Sequence, residues 1–368
     1  MKKSVRPLPF YARFAHILFI IIAVIAICYA GQGILSPILL SLLFAILLRP
    51  VAAFLNEKLK IPNVISCLLA VFVFVVFFAA IFYFITYQVA DMADDWDKIK
   101  SNVQNHYSNL QSYVQDTFQL SKREQDKMVS KATSGSMETG KSVMGSTLAS
   151  FTDSLMNMIL IPIYTFLILL YRTHFLKFLC KLFEPKHHPK LEDILNTIKT
   201  SVQSYIRGLL FEFAIVSVLT ALGLMIIGVK YAILLGVITG LLNLIPYIGI
   251  LIAGVLTVAA SLTGNSDLTI LIGILVVNVV VQFVDNNVLV PIVVSSKVEI
   301  NSIASIVGII IGGAIAGISG MFLAIPLMAI LKVIFDRIES LEPWGYLLGD
   351  DLPKTFFLKR PKKSEANS

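Results

Sequence analysis

Asn278, Gln282, Asp285 and Asn286 follow one another at i, i+4, i+7 and i+8 inside the apolar run LIGILVVNVVVQFVDNNVLVP. On a helix this spacing puts one acid and three amides on a single face. Polar side chains are costly in hydrocarbon, so such a face must point into a bundle or a wet cavity. It serves either as hydrogen-bonding glue between helices or as the lining of a pathway for a polar solute or ion, and the acid among the amides favours the pathway. A second acid, Glu212, stands a few residues inside another apolar run and five residues after Arg207. There it is either an ion- or proton-coupling group or a hydrated helix-start residue paired with Arg207.

A third feature is an interruption. The stretch 231–262 is apolar and long enough to cross a bilayer, yet Asn243, Pro246, Tyr247 and Gly249 break it at its centre. Pro246 cannot donate to the carbonyl of Leu242. Freed backbone groups at membrane depth are tolerated only inside protein or beside a water-filled cavity. Asn243, Pro246, Tyr247 and Gly249 are therefore expected to form a broken-helix site, with Asn278, Gln282, Asp285 and Asn286 lining it.

The stretch 302–335 is overlong as well, roughly 51 Å as a straight helix at 1.5 Å per residue against a hydrocarbon core of about 30 Å. It must tilt steeply, project beyond the membrane or break, and Gly317–Gly320 and Pro326 are the expected break points. Ala304, Gly308, Gly312, Ala316, Gly320 and Ala324 recur every fourth residue, with Gly313 and Gly317 beside them. A strip with almost no side chain lets backbones approach closely. It is either plain helix packing or a smooth face for sliding or passage. Two interrupted segments of this kind resemble the paired broken helices of transporters, and each is either a broken span or a re-entrant hairpin.

Several chemistries are excluded. No phosphate-binding GxxxxGK[ST] loop and no HExxH occurs. Gly317-Ile318-Ser319-Gly320 matches the GxSG of intramembrane serine proteases, but none of His16, His106, His174, His187 and His188 lies well inside a span to act as base. His187-His188 reads as a solvated loop pair. Cys28, Cys67 and Cys180 are too scattered for a disulfide framework or a zinc site. No enzyme activity, cofactor or metal is expected. The net charge of +7 is no nucleic-acid signal, because the basic residues sit at the ends of apolar blocks and in the tail LKRPKKSEANS.

The elements that must position these residues are membrane helices. The 368 residues are 57% hydrophobic and 14% charged, where soluble domains carry about 25% charged residues. The expected class is all-α and polytopic, with about eight spans at 14–30, 34–48, 64–87, 151–171, 209–228, 231–262, 268–284 and 302–335. Residues 1–87 would carry helices one to three, 88–150 an extracytoplasmic amphipathic helical insertion and 151–171 helix four. Residues 172–207 would form a cytoplasmic amphipathic loop, 208–336 helices five to eight as the transport core, and 337–368 a cytoplasmic basic tail. Lys and Arg cluster before span one, between spans two and three and between spans four and five, which places both termini in the cytoplasm. In the insertion, Trp96, Ile99, Val103, Tyr107, Leu110, Val114 and Phe118 make one helical face, either packed on its own domain or used for oligomerisation. Leu191, Ile194, Leu195, Ile198 and Val202 suggest a helix lying along the cytoplasmic membrane face. The N-terminal apolar run lacks a cleavage site and reads as a retained helix.

NLIPYIG at 243–249 resembles the signature of the autoinducer-2 exporter family, the PerM-like permeases. DNNVLVPIVVSSKVEIN at 285–301 resembles the family's D-x-x-x-L-x-P segment, and GGAIAGISGMFLAIP at 312–326 its Gly-rich last span. Tyr205-Ile206-Arg207-Gly208 matches the approach to span five, with Leu209 in place of the family's Gln. Ser296-Lys297-Val298-Glu299-Ile300-Asn301 replaces its usual Gly-x-x-x-x-x-His-Pro. The resemblance implies a bacterial inner-membrane secondary transporter that exports a small polar metabolite or signal, with sodium/proton antiport credited to some members. It also implies homo-oligomers, specifically pentamers. On the reading of the residues themselves, Asn243, Pro246, Tyr247 and Gly249 would form the broken-helix site and Asn278, Gln282, Asp285 and Asn286 would line it, with Glu212, and after it Asp285, as the acid coupling the pathway to an ion. Gly308, Gly312, Gly313, Gly317, Gly320 and Pro326 would serve packing or sliding. The partners expected are a small-molecule solute, the lipid bilayer and further copies of the chain. The alternatives are a sodium/proton antiporter without an organic substrate and a non-transporting membrane scaffold.

Overall fold

A computed structural model describes residues 9–94, 159–245, 268–293 and 300–350, together with Ser101, Gly249, Gly254 and Thr257. Most of the expected insertion, Pro246, Tyr247 and residues 351–368 of the expected tail lie outside the described residues.

Helix α1 (Phe10–Ala30) passes through Gly31 directly into α2 (Gln32–Glu57). Helix α3 (Asn63–Asp94) follows a short turn, in which the Asn56 and Ser66 side chains both donate to the Ile61 carbonyl. Helix α4 (Ile159–Leu170) bends by 65° into α5 (Arg172–Leu182). A 3₁₀ turn leads to α6 (His188–Ile227), which ends on Gly228 in the left-handed conformation. Then come α7 (Ala232–Asn243), α8 (Leu268–Val284), a π turn over Asp285–Leu289 that runs into α9 (Val290–Val293), α10 (Ser302–Arg337) and α11 (Glu342–Leu348). The described residues contain no strand.

Helix α6 is the central post. Its 40 residues span about 60 Å at 1.5 Å per residue, so the expected cytoplasmic helix and span five are one continuous rod. The stripe expected to lie along the membrane surface turns toward protein instead. Val202 is buried, and Ile198 packs with it against Leu40 and Leu43 of α2 and Ile309 and Leu323 of α10. Helix α2 carries Pro50, which cannot donate to the carbonyl of Ile46. Gln203 of α6 supplies the missing hydrogen bond, Nε2 to Ile46 O at 2.7 Å. Helix α2 also meets α4 through Ser41, whose Oγ donates to the carbonyls of Pro37 and Ile161. Against α3 it buries Ala45, Leu48 and Ala52, beside a cluster of Phe44, Phe74 and Phe78 rings.

Small residues set how α6 meets its neighbours. Gly236 and Gly240 of α7 lie directly on α6: a Cβ at Gly236 would strike the Ser217 carbonyl and Ala221, and one at Gly240 the Phe213 carbonyl and Ser217. The contacts descend α6 as they ascend α7, so the two helices are antiparallel. Helix α8 is antiparallel to α6 as well, with Gly273 against Ile227 and Gly223 against Val277. Helices α7 and α8 therefore both start from the Ile227 end of α6. The end of α7 and the start of α8 thus lie toward opposite ends of their contact with α6.

Helix α10 is folded back on itself. Gly317, at φ 58° and ψ −141°, reverses the chain after Ala316, in a conformation open to glycine. A Cβ on Gly312 would meet the Gly320 carbonyl and one on Gly320 the Gly312 carbonyl, while Gly308 faces Met328 and Gly313 faces Met321. The two ends of the hairpin are tied together. Asn301 caps its start by accepting from Ala304 N at 2.8 Å, and the Asn301 amide donates to the carbonyls of Leu347 and Gly349 just beyond its end. Arg337 Nε donates to Asp193 at 2.5 Å and its Nη2 to Thr197 at 2.8 Å, which fixes the returning arm to α6. Pro326 sits buried within that arm, and the break falls at Ala316–Gly317 alone. The first arm, 14 residues over 302–315, reaches about 21 Å, short of the roughly 30 Å hydrocarbon core.

The described residues do not establish the expected count of eight spans. Five helices have the length and composition of a crossing, or six if the bent α4–α5 pair counts as one. One of these, α10, is a hairpin.

Candidate functional site

Helix α7 ends at Asn243, level with Glu212 on α6 and Asp285 at the end of α8. The Asn243 amide Nδ2 donates to Glu212 Oε1 at 2.8 Å and to Asp285 Oδ2 at 3.2 Å. All three side chains are buried, at 5%, 5% and 3% exposure in the order Asn243, Glu212, Asp285. One amide thus joins two acids from two other helices. The second oxygen of Glu212, Oε2, has no protein partner, and neither have Ser217 Oγ and Thr220 Oγ1, while Asp285 Oδ1 and the neighbouring Gln282 Nε2 make no hydrogen bond of good geometry. Buried polar atoms are normally satisfied, and an orphan calls for a reason, such as a bound species or a catalytic or transport role. Two of the five, on Gln282 and Asp285, line a small cavity together with Val216, Thr239, Asn243, Asn278 and Val281, and the other three follow along α6 beside it.

Local sequence explains the placement. Glu212, Val216 and Thr220 follow at i, i+4 and i+8, so one face of α6 carries the acid and a hydroxyl. Helix α7 cannot continue past Asn243. The Leu242 carbonyl, which Pro246 cannot serve, accepts from Ile245 N at 3.0 Å, and Leu241 accepts from Leu244 N. This tight last turn points Asn243 at the acids. Gly249 then lies against the Leu242 carbonyl and Asn243 N with no room for a Cβ, so the returning backbone holds the end of α7 in place. On α8 the regular helix gives way to a π turn at Asp285, a feature frequent at functional sites.

The structure brings Asn243, Gly249, Asn278, Gln282, Asp285 and Glu212 to one place. It leaves Asn286 exposed, because the 3.6-residue count that put it on the polar face stops applying where the π turn begins. Arg207 does not partner Glu212: it is exposed and donates to the Gln203 carbonyl at 3.1 Å. Gly308, Gly312, Gly313, Gly317, Gly320 and Pro326 all belong to the hairpin. Pro246 and Tyr247 lie outside the described residues. Thr239, Ser217, Thr220, Gly236 and Gly240 were not expected. The Gly236-x-x-x-Gly240 spacing is a small-residue packing signal that could have placed α7 against α6. His188, expected to be solvated, has Nε2 within 2.9 Å of the Cys180 carbonyl and 3.2 Å of Phe183 O, at the end of α5.

Among the described residues no group of three or more His, Cys, Asp or Glu side chains is placed to hold a metal. The cavity lining contains no Lys or Arg. Carboxylate, amide and hydroxyl oxygens are the donors that hard cations take, and the acids can also exchange protons.

Long apolar helices, a folded-back hairpin and buried acids beside a small cavity make this an α-helical polytopic membrane protein. Residues 18–340 match the family described as AI-2E family transporter, and the chain belongs to that family. Among its relatives, "Putative transport protein YueF" of Bacillus subtilis is 26% identical over 83% of this chain and 84% of its own. "Putative transport protein YrrI" of the same organism is 32% identical over 38% of this chain and 39% of its own. "Putative permease PerM" of Escherichia coli K12 is 26% identical over 57% of this chain and 60% of its own. The matches thus span about two-fifths of YrrI and three-fifths of PerM.

Proposed function

We propose that this protein is a secondary transporter of the bacterial inner membrane, with both termini cytoplasmic, that exports a small polar metabolite or signal of the autoinducer-2 kind in exchange for a proton or sodium ion. It works as a homo-oligomer and hydrolyses no nucleotide. The observation that supports this most is the bridge itself, one amide hydrogen-bonded to two buried acids. Two carboxylates sharing one donor repel each other when both are charged. A proton on either, or a cation beside them, relieves that repulsion, so occupancy by the ion changes how Asn243 is held. Asn278, Gln282 and Thr239 then offer amide and hydroxyl groups to a polar solute in the adjoining cavity. Proton- or sodium-only exchange is the second reading, favoured by the small size of the cavity and the pair of acids, Asp285 in its lining and Glu212 joined to it through Asn243.

The test compares metabolites in medium and cytosol between deletion and overexpression strains. The proposal expects a polar metabolite to accumulate inside the deletion strain and outside the overexpressing one. Unchanged metabolites, combined with sodium-driven proton movement by purified protein in vesicles, would replace it with the second reading.

A further inference from the structure

Helix α5 stands apart from the transport core. It is the 11-residue sequence RTHFLKFLCKL, none of its residues is buried, and it leaves the apolar α4 at a 65° bend. Its side chains divide into three sectors at 100° per residue. Leu176 and Leu179 are half-buried and turn toward the protein. Phe175, Phe178 and Leu182 form an apolar edge, 50%, 58% and 65% exposed. His174, Lys177 and Lys181 form a polar edge about a quarter-turn away. No acidic residue occurs on the helix, while Arg172 stands at its start and Lys181 in its last turn.

The apolar edge continues a surface that already faces lipid. Ile159, Ile163, Leu167 and Tyr171 repeat every fourth residue along α4 and are exposed, which on a helix of this composition is the side turned to the bilayer. A bend of 65° from a crossing helix turns the chain toward the membrane plane. A basic amphipathic helix in that position sinks its apolar edge into the headgroup–acyl boundary and is held by anionic lipid. Glu184 is engaged with Lys186 at 2.6 Å, and among the described residues Lys177 and Lys181 form no ion pair.

We propose that α5 is an in-plane lipid-binding helix that recruits anionic phospholipid headgroups through Lys177 and Lys181. Phe175, Phe178 and Leu182 are its membrane anchors. The site is independent of the buried acids and of what the protein carries.

The full chain carrying Phe178→Trp tests this after subtraction of the signal of the parent chain, which contains Trp96 and Trp344. It is reconstituted in vesicles with about one-quarter phosphatidylglycerol in phosphatidylcholine, a fraction that gives a negative surface potential. Bromine is placed on the shallow acyl carbons of one lipid or the other, at equal bromine content. Quenching should be about twofold or more stronger when the bromine is on the anionic lipid, as basic residues near a charged surface require. The difference should vanish in the Lys177→Glu/Lys181→Glu variant and shrink in high salt. Equal quenching from both lipids would overturn the anionic preference. No quenching from either, with free access of aqueous acrylamide, would overturn membrane contact. Shielding from bromine and acrylamide alike would mean that a second copy of the chain covers the helix, and would overturn the proposal too.

Discussion

Two helix breaks in this protein serve different ends. At the end of α7 the turn delivers a functional group: Asn243 is presented to Glu212 and Asp285, and Gly249 holds it there. At the tip of α10 the turn delivers no polar side chain to the acids. Its two arms zip together through Gly312 and Gly320, with Gly308 under Met328 and Gly313 under Met321. One break is built around chemistry and the other around close packing. Glycine and proline mark both in the sequence, and only what stands beside the break tells them apart.

The comparison is broken most severely at the packed turn. Gly312→Leu or Gly320→Leu places a branched side chain against the opposing carbonyl, where overpacking costs about 3 kcal/mol or more. Both variants should fail to accumulate or should elute as aggregates after detergent extraction. A well-behaved, active Gly320→Leu protein would mean that the arms are not in contact. At the chemical turn the expected effect on folding is smaller. Asn243→Leu removes the donor shared by two buried acids, a loss of about 1–3 kcal/mol. It should lower the melting temperature moderately and abolish transport, and transport at the parental rate would remove the bridge from the account. Gln203→Leu leaves the Ile46 carbonyl beside Pro50 without its donor, also about 1–3 kcal/mol. It should destabilise the protein without changing ion dependence, and an altered ion dependence would show that the α2–α6 contact is part of the transport site. Arg337→Ala should have the smallest effect, about 1 kcal/mol or less for a partly exposed ion pair, detected as a small drop in thermal stability at low salt. A large loss of activity would mean that the tie between the returning arm and α6 does more than hold the hairpin in place.

How much of this could be read from the sequence depends on whether a residue's partner was local. The polar face Asn278–Gln282–Asp285 was legible because helical spacing alone defines it, and the expected bounds of that helix, 268–284, are those of α8. Asn286 was misplaced because nothing in the local pattern announces the π turn. Glu212 was legible as a buried acid, but its partner was not. Arg207 is near in sequence and points away, while Asn243, 31 residues on, makes the bond. The small-residue strip of 302–335 was visible as a strip, yet its spacing is the same whether it packs on another helix or on itself. Only the positive φ of Gly317 decides for the hairpin. The bend of α4 into α5 and the service of Gln203 to Ile46 depend on tertiary placement that periodicity does not carry.

The central claim is that Glu212, Asn243 and Asp285 couple ion movement to transport. It is tested most directly in vesicles holding purified protein and a pH-sensitive dye, with Glu212→Gln and Asp285→Asn compared with the parent. Each amide keeps the size of the side chain and removes its capacity to carry a charge. The account predicts that at least one of the two variants folds normally, still binds the transported species and loses the proton- or sodium-dependence of its rate. Parental rates with unchanged ion dependence in both variants would contradict it and leave facilitated diffusion through the bundle as the better description.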